Sequence, residues 1–284
     1  MGGEGDRDLP TGRPPSVDLR IDTPHSARMY DYFLGGKDNF PADRQAAEAA
    51  LSIFPSIRTT ALQARKFMTR VTAELARSGV RQFLDIGTGI PTSPNLHEVA
   101  QRVAPDARIV YVDNDPIVLA HSRALLRSAP EGRTAYLEAD LREPERILRS
   151  AEVRETLDLS EPVALSLFAI LHFVPDDVNP DGIVAELLDV LSPGSYLALN
   201  HATPDFVTPE VEAQVTGLYR AQGIPFQSRR HAEIVRFFDG LELVDPGLVP
   251  VHQWRPEGEP EDIPAADIAS YGGLARLTRR GPFL

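Results

Sequence analysis

The segment FLDIGTGIPTSPNL, residues 83–96, joins a short apolar run to two closely spaced glycines and then to residues that start helices. Gly87 and Gly89 free the backbone to turn tightly and to approach a ligand where a side chain would clash, and the helix behind them presents unpaired amides. That is the chemistry of a nucleotide cradle. The third glycine of the dinucleotide pattern is missing, with Thr92 in its place beside Pro91, which disfavours close approach to a pyrophosphate. Asp113 closes the next apolar run, 24 residues after Gly89, where a carboxylate can accept from both hydroxyls of a ribose. Asp140 follows the third run, where it can accept from an adenine amino group. Each acid alone could equally be a helix cap or a solvated loop charge. In this order behind a glycine turn, they point together to a nucleoside.

The elements that must hold these residues follow from periodicity. Arg81–Ile86, Ala107–Val112, Ala135–Glu138, Pro162–Phe168 and Ser195–Leu199 read as strands, the fourth apolar throughout as in a strand covered on both faces. Between them lie helical stripes. One has Leu96, Val99, Ala100 and Val103 on a face, with Thr92 and Ser93 as candidate N-caps and Pro94 in the first turn; others hold Ile117, Ala120 and Ala124, residues 143–149, and Ile183, Leu187, Val190 and Leu191. Helices are expected again at 209–222 and at 228–239, the latter capped by Ser228. Leu241–Val249 and Leu274–Thr278 read as a late antiparallel edge. Alternating strands and helices specify an α/β fold, a doubly wound and mostly parallel sheet.

Ahead of it, residues 1–22 form a polar, Gly- and Pro-rich tail, and residues 23–79 a helical lid with an aromatic-rich first helix ending at Gly35-Gly36 and two helices parted near Pro55. The sheet domain takes residues 80–284. Of the 284 residues, 42% are hydrophobic and 25% charged, and the net charge is −12. That balance argues against nucleic acid as a partner, because a phosphate backbone is gripped by Lys and Arg. No apolar run reaches the length of a membrane helix, which excludes a membrane-spanning chain of that kind. With no cysteine, disulfides, thiolate nucleophiles and zinc–thiolate sites are excluded. The N-terminus lacks the cationic and apolar stretches of a secretion signal, so a cytoplasmic location is expected. All but two of the 29 basic residues are arginine, a bias that GC-rich bacterial coding would produce.

The strings FLDIGTGIPTSPNL, YVDND, LEADLREP, ALSLFAILHFVPDD and LLDVLSPGSYLALN resemble the class I S-adenosylmethionine-dependent methyltransferases over about residues 80–200. More narrowly, PHSARMYDYFLGGKDNFPADR, with DIGTGIPT and the late YGGLARLTR, resembles the actinobacterial S-adenosyl methyltransferase family long described only as a domain of unknown function. The resemblance implies a seven-stranded Rossmann-like sheet and S-adenosyl-L-methionine as cofactor. It implies further that Asp85, Gly87 and Gly89 form the turn on the methionine side and that Asp113 takes the ribose. Asn114 would neighbour the adenine, Asp140 and Leu141 would flank its edge, and Phe168, Ala169 and His172 would line the sulfonium side. Related small-molecule methyltransferases often carry two adjacent histidines after the fourth strand; here the run is Leu171-His172-Phe173.

Methyl transfer from a sulfonium needs alignment and exclusion of water, and a base only where the acceptor holds a proton at neutral pH. The candidates for that base, in order, are His172, His201 and Tyr30 or Tyr32. Arg28 or Lys37 could neutralise the cofactor's carboxylate. Asp176-Asp177 lacks a third ligand, so no metal site is expected. Arg229-Arg230 reads as a solvated pair, and Trp254 as core packing. The leading reading is methyl transfer to a small-molecule acceptor; the alternative is a cofactor-binding sensor or regulator without transferase activity. A nicotinamide oxidoreductase ranks third, since Thr92 stands at the third glycine position.

Overall fold

Apolar runs too short for helices and rich in β-branched residues pair side by side in the computed structural model, which describes residues 19–125, 127–258 and 261–279. β1 (Gln82–Ile86), β2 (Arg108–Asp113), β3 (Arg133–Glu138), β4 (Ala164–Phe168) and β5 (Tyr196–Ala202) are parallel. They lie in the order β3-β2-β1-β4-β5, followed by β8 (Ser270–Arg276), which runs antiparallel to β5 from Tyr196↔Arg276 to Ala202↔Ser270. Two dipeptide strands, β6 (Glu242–Leu243) and β7 (Val249–Pro250), both pair with β8. Taken together they are one interrupted seventh strand. The expected strand over 241–249 is thus corrected to its two ends: after the Val244 amide donates to the Leu274 carbonyl, residues 245–248 leave the ladder, and the final strand begins four residues earlier than its apolar run suggested.

Alternation along each strand divides the core. Phe83, Ile109, Tyr111 and Ala164 face one way and pack with Phe67, Met68, Val71 and Leu75 of α3 (Ile57–Arg77) and with Leu96 and Ala100 of α4 (Leu96–Val103). Leu84, Ile86, Val110, Val112, Leu165 and Leu167 face the other way. They meet α7 (Ala151–Thr156) through Val153 and α8 (Pro180–Asp189) through Ile183, Val184 and Leu187. Each such leucine or isoleucine contributes about 1.5–3 kcal/mol relative to exposure. The remaining crossovers use α5 (Pro116–Leu125) and α6 (Pro144–Leu148).

A third, smaller cluster joins α1 (Ser26–Phe33) and α2 (Pro41–Ile53) to α9 (Pro209–Ala221), through Met29, Phe33, Ala46, Ala47, Ala50 and Tyr219. The helical covering over the sheet's edge therefore draws on both ends of the chain, and α3, expected within the lid, packs against the sheet itself. Residues 1–18 of the expected tail lie outside the described residues, as do Arg280 and the side chain of Ala124. Two caps differ from expectation. α4 begins one turn after Thr92, because Glu98 Oε2 accepts from the Asn95 amide at 2.6 Å and makes Asn95 the N-cap. α10 (His231–Val235) starts after Arg230, while Ser228 donates instead to Glu212. Among the described residues no helix is long and apolar enough to cross a membrane.

Candidate functional site

β1 and β4 are neighbours whose crossovers depart in opposite directions, which opens a crevice beyond their carboxyl ends. A cavity of about 440 Å³ lies there. Asp85, Gly87, Gly89, Asp113, Asn114, Asp140, Leu141, Phe168 and Ala169 all line it, joined by Arg28 and Tyr30 of α1. The chain brings together from five separate segments the residues that spacing or the family resemblance singled out; four of the segments follow β1 to β4 and reach one edge because these strands are parallel, and the fifth is α1.

Both glycines of the turn hold positive φ, +79° at Gly87 and +68° at Gly89. A Cβ on Gly87 would stand 2.6 Å from Ile170, whereas one on Gly89 would meet nothing within 4 Å and would project into open space. Gly87→Ala is therefore expected to lower the unfolding free energy by roughly 2–4 kcal/mol, from left-handed strain plus overpacking, and Gly89→Ala by strain alone. Urea denaturation of the two variants checks this; equal losses would show that the Ile170 contact costs nothing.

Asp113 is buried, yet each of its oxygens already accepts one amide: Oδ2 from Gly89 at 2.8 Å and Oδ1 from Asp115 at 2.9 Å. The carboxylate thereby fixes both the glycine turn and the start of α5, where Asp115 Oδ1 accepts from the Ile117 amide. Burial raises the Asp113 carboxyl above its ordinary range, opposed by these amides and by His25. Asp85 is also buried, and desolvation pushes it up to about 7 against the pull of Arg65. Arg65 was not anticipated. It sits beside the apolar face of α3, donates to the carbonyls of Thr92 at 2.5 Å and Pro94 at 2.7 Å, and lines the cavity; in sequence nothing sets it apart from Lys66 and the other cations of the same helix.

Arg28, expected to meet the cofactor's carboxylate, is engaged with the protein. Its Nε lies 3.2 Å from Asp115 Oδ2 and 3.6 Å from Asp43, and its outer nitrogens donate to the carbonyls of Arg20 and Thr23. It clamps α1 and α2 to the end of β2. Lys37 is exposed and lines neither this cavity nor the one beside it. Asp140, expected at the adenine amino group, is likewise held: burial would raise its pKa, but three bonds from Arg142 and one from Asn114 bring it down to about 2.

A second cavity of about 140 Å³ shares Ser26, Tyr30, Ala64, Ala169, Phe173 and Asn200 with the first. At the junction Ala169 holds φ +52°, a conformation that a non-glycine residue keeps only when its neighbours impose it. Asn200 imposes it, accepting the Ala169 amide on its backbone oxygen at 3.3 Å and on Oδ1 at 3.1 Å. This asparagine, the first polar residue after SYLAL, belongs to β5, which continues to Ala202, three residues past the expected strand end at Leu199.

His172 lines the second cavity. Its Nδ1 accepts from the Ala202 amide at 3.4 Å, which assigns the proton of the neutral ring to Nε2, and burial together with His201 and Arg229 drives its pKa well below the ordinary value. His201 lines neither cavity. It is fully buried, with Nδ1 donating to the Ala202 carbonyl at 2.7 Å and Nε2 accepting from Arg229 at 2.9 Å, and burial takes its pKa down to about 3. No ring nitrogen of His201 is left for a substrate, which corrects its expected place beside an acceptor. Tyr30 donates to the Ala61 carbonyl at 3.0 Å and is pushed by burial up to about 12, so it is wall rather than base. Tyr32 is turned instead to Glu48.

Arg229, expected on a solvated face, is buried and donates to the carbonyls of Leu171 and Val174 and to Asp176 as well as to His201. It ties the segment after β4 to β5. Trp254 is fully buried as expected, with its ring edge-on to Phe67 at 5.6 Å.

A family model described as S-adenosyl methyltransferase matches residues 13–278. A crystal structure of a duf574 family protein from Streptomyces avermitilis is similar at 52% identity, with 91% of this chain and 99% of that one covered and a TM-score of 0.89. A putative methyltransferase from Thermobifida fusca is 40% identical over 93% of this chain and 99% of its own, with a TM-score of 0.84. An O-methyltransferase family protein from Burkholderia thailandensis, 16% identical over 93% of this chain and 67% of its own, shares the fold with a TM-score of 0.53. Among curated proteins no match was found.

Proposed function

This chain belongs to the S-adenosyl methyltransferase family, and on that premise we propose that it transfers the methyl group of S-adenosyl-L-methionine to a small molecule seated in the second cavity. The observation that carries the proposal is the junction at Ala169 and Asn200, where a nucleoside-sized cavity and a smaller one share a wall. The bound cofactor supplies a methyl already activated by its sulfonium, so the protein's task is alignment and exclusion of water.

The residues of the larger cavity fit that cofactor. Gly89 leaves open the space a side chain would fill, and the buried Asp113 carboxylate beside it has acceptor capacity beyond its two amides, as two ribose hydroxyls require. Asn114 and Leu141 lie toward the base, with Asp140 available to it once Arg142 swings aside. Asp85 and Arg65 offer one acid and one cation to the amino-acid end. Phe168 and Ala169 shield the junction from water. The segment leading into α1, with α1 and α2, acts as the lid, fastened by His25 and Arg28 to Asp115.

His172 is a neutral ring in the acceptor cavity, and His201 with Arg229 fixes the backbone around it. Calorimetric titration tests the assignment. Micromolar binding of S-adenosylmethionine and of S-adenosylhomocysteine, and none of a nicotinamide dinucleotide, is expected; failure of both on folded protein would end the methyltransferase reading.

A further inference from the structure

Among the described residues, four ionisable side chains line the second cavity: Tyr30, His172, Glu212 and Tyr219. Burial keeps both tyrosines protonated and His172 uncharged. Glu212, at the start of α9, is the remaining group. Its Oε1 accepts from Ser228 at 3.1 Å, and among the described residues no lysine, arginine or histidine is ion-paired with it. The walls around it are apolar: Phe33, Phe54, Ile57 and Val215, with Tyr219 and Phe226 stacked at 4.8 Å and 19°. Glu212 also borders an outer pocket with Asp177 and Arg220, so it stands between the apolar cavity and water.

A cavity of this kind selects by charge. An anionic acceptor would meet the Glu212 carboxylate, and among the described residues no lysine or arginine lines this cavity to offset that repulsion. A hydroxyl acceptor requires a base strong enough to take its proton at the moment of attack; His201 has no nitrogen to offer, His172 has its Nδ1 on a backbone amide, and a carboxylate is too weak for an aliphatic alcohol. An amine differs on both points. As an ammonium it pairs with Glu212, and in the neutral-to-alkaline range it yields its proton to solvent without needing a protein base.

We infer that the acceptor is a small molecule with an apolar, ring-sized body and one basic amine, which Glu212 holds as the ammonium and which is methylated on nitrogen once its proton has gone to water. The inference rests on the methyl-transfer reading above. In the step itself the ammonium first gives a proton to water or hydroxide from the outer pocket that Glu212 borders. The nitrogen lone pair then forms the N–C bond as the bond from that carbon to sulfur breaks, and sulfur keeps the pair as a neutral thioether. The product leaves as the N-methylated ammonium.

The test uses 2-phenylethylamine, 2-phenylethanol and phenylacetate, three probes of one shape and different charge, titrated calorimetrically into the full chain with and without S-adenosylhomocysteine. The amine is expected to bind about tenfold or more tighter than the alcohol and phenylacetate not at all. Glu212→Gln, which keeps the bond from Ser228, should erase the preference for the amine, and Glu212→Lys should reverse it toward phenylacetate. With S-adenosylmethionine, mass spectrometry should find the N-methylated amine and no methyl ether. Equal binding of amine and alcohol, tight phenylacetate binding, a preference that survives in Glu212→Gln, or no binding of any probe would overturn the inference. Titration with S-adenosylmethionine alone is run beside these. If it binds while the amine preference fails, only the acceptor class falls; if it does not bind, the methyl-transfer reading falls first.

Discussion

Asp113→Ala is expected to weaken S-adenosylmethionine binding by roughly 100-fold or more while leaving the chain folded. A carboxylate that accepts from two ribose hydroxyls in a desolvated cavity makes two charge-assisted hydrogen bonds, each contributing about 1.5–3 kcal/mol, and about 1.4 kcal/mol is a tenfold change in affinity. The same carboxylate holds the amides of Gly89 and Asp115. Its removal therefore also loosens the turn that the ligand must meet, and the two losses act in the same direction. The core does not depend on it, because the Asp113 side chain lies at the end of β2 beyond the apolar pairs Val110 and Val112. Asp113→Asn is the informative companion: one acceptor oxygen survives, so its loss should be intermediate. Calorimetry reads the affinity, and circular dichroism with a thermal melt reads the fold. Unchanged affinity in a folded Asp113→Ala protein would remove this residue from the site and, with it, the assignment of the glycine turn.

Much of this arrangement was legible in the chain because parallel strands turn order in sequence into position in space. Asp113 and Asp140 each follow an apolar run, so each had to emerge at the same edge as Gly87 and Gly89. What the sequence left hidden depends on packing between distant segments. Arg229 looks like half of a solvated pair; it is buried only because the segment after β4 folds back over β5 and offers the carbonyls of Leu171 and Val174. His201 looks like a base at a strand end, and the partner that occupies its Nε2 stands 28 residues further on. Glu212 carries no motif at all: it is an acid in the first turn of a helix, where dipole alone would place one, and its importance comes from the apolar walls supplied by α1, Phe54, α3 and the segment near Phe226. The edge strand was blurred for a local reason, since residues 245–248 leave the ladder between two short segments that pair with β8.

Asp85→Asn is expected to stabilise the unliganded protein increasingly as pH rises. Burial lifts the Asp85 carboxyl from its ordinary 3.8 to about 7. A folded-state pKa above the unfolded one means that folding favours the protonated acid, so its contribution is fully present below about pH 4 and is lost as pH climbs through 7. At about 1.36 kcal/mol per unit, the advantage of the asparagine over the aspartate should grow by roughly 3–4 kcal/mol between pH 4 and pH 8. Thermal or urea melts of both proteins at these two pH values measure it; a pH-independent difference would mean that Asp85 is ionised in the folded state throughout. The same substitution should weaken binding of S-adenosylmethionine, since a buried carboxylate that costs stability when empty is useful only against a positive charge. Cofactor binding near pH 7 should then release a proton from wild-type Asp85 and none from Asp85→Asn. Titrations in buffers of different ionisation enthalpy separate the two, because a released proton makes the apparent heat depend on the buffer. A buffer-independent heat in the wild type would detach Asp85 from the cofactor's ammonium and leave it a structural acid beside Arg65.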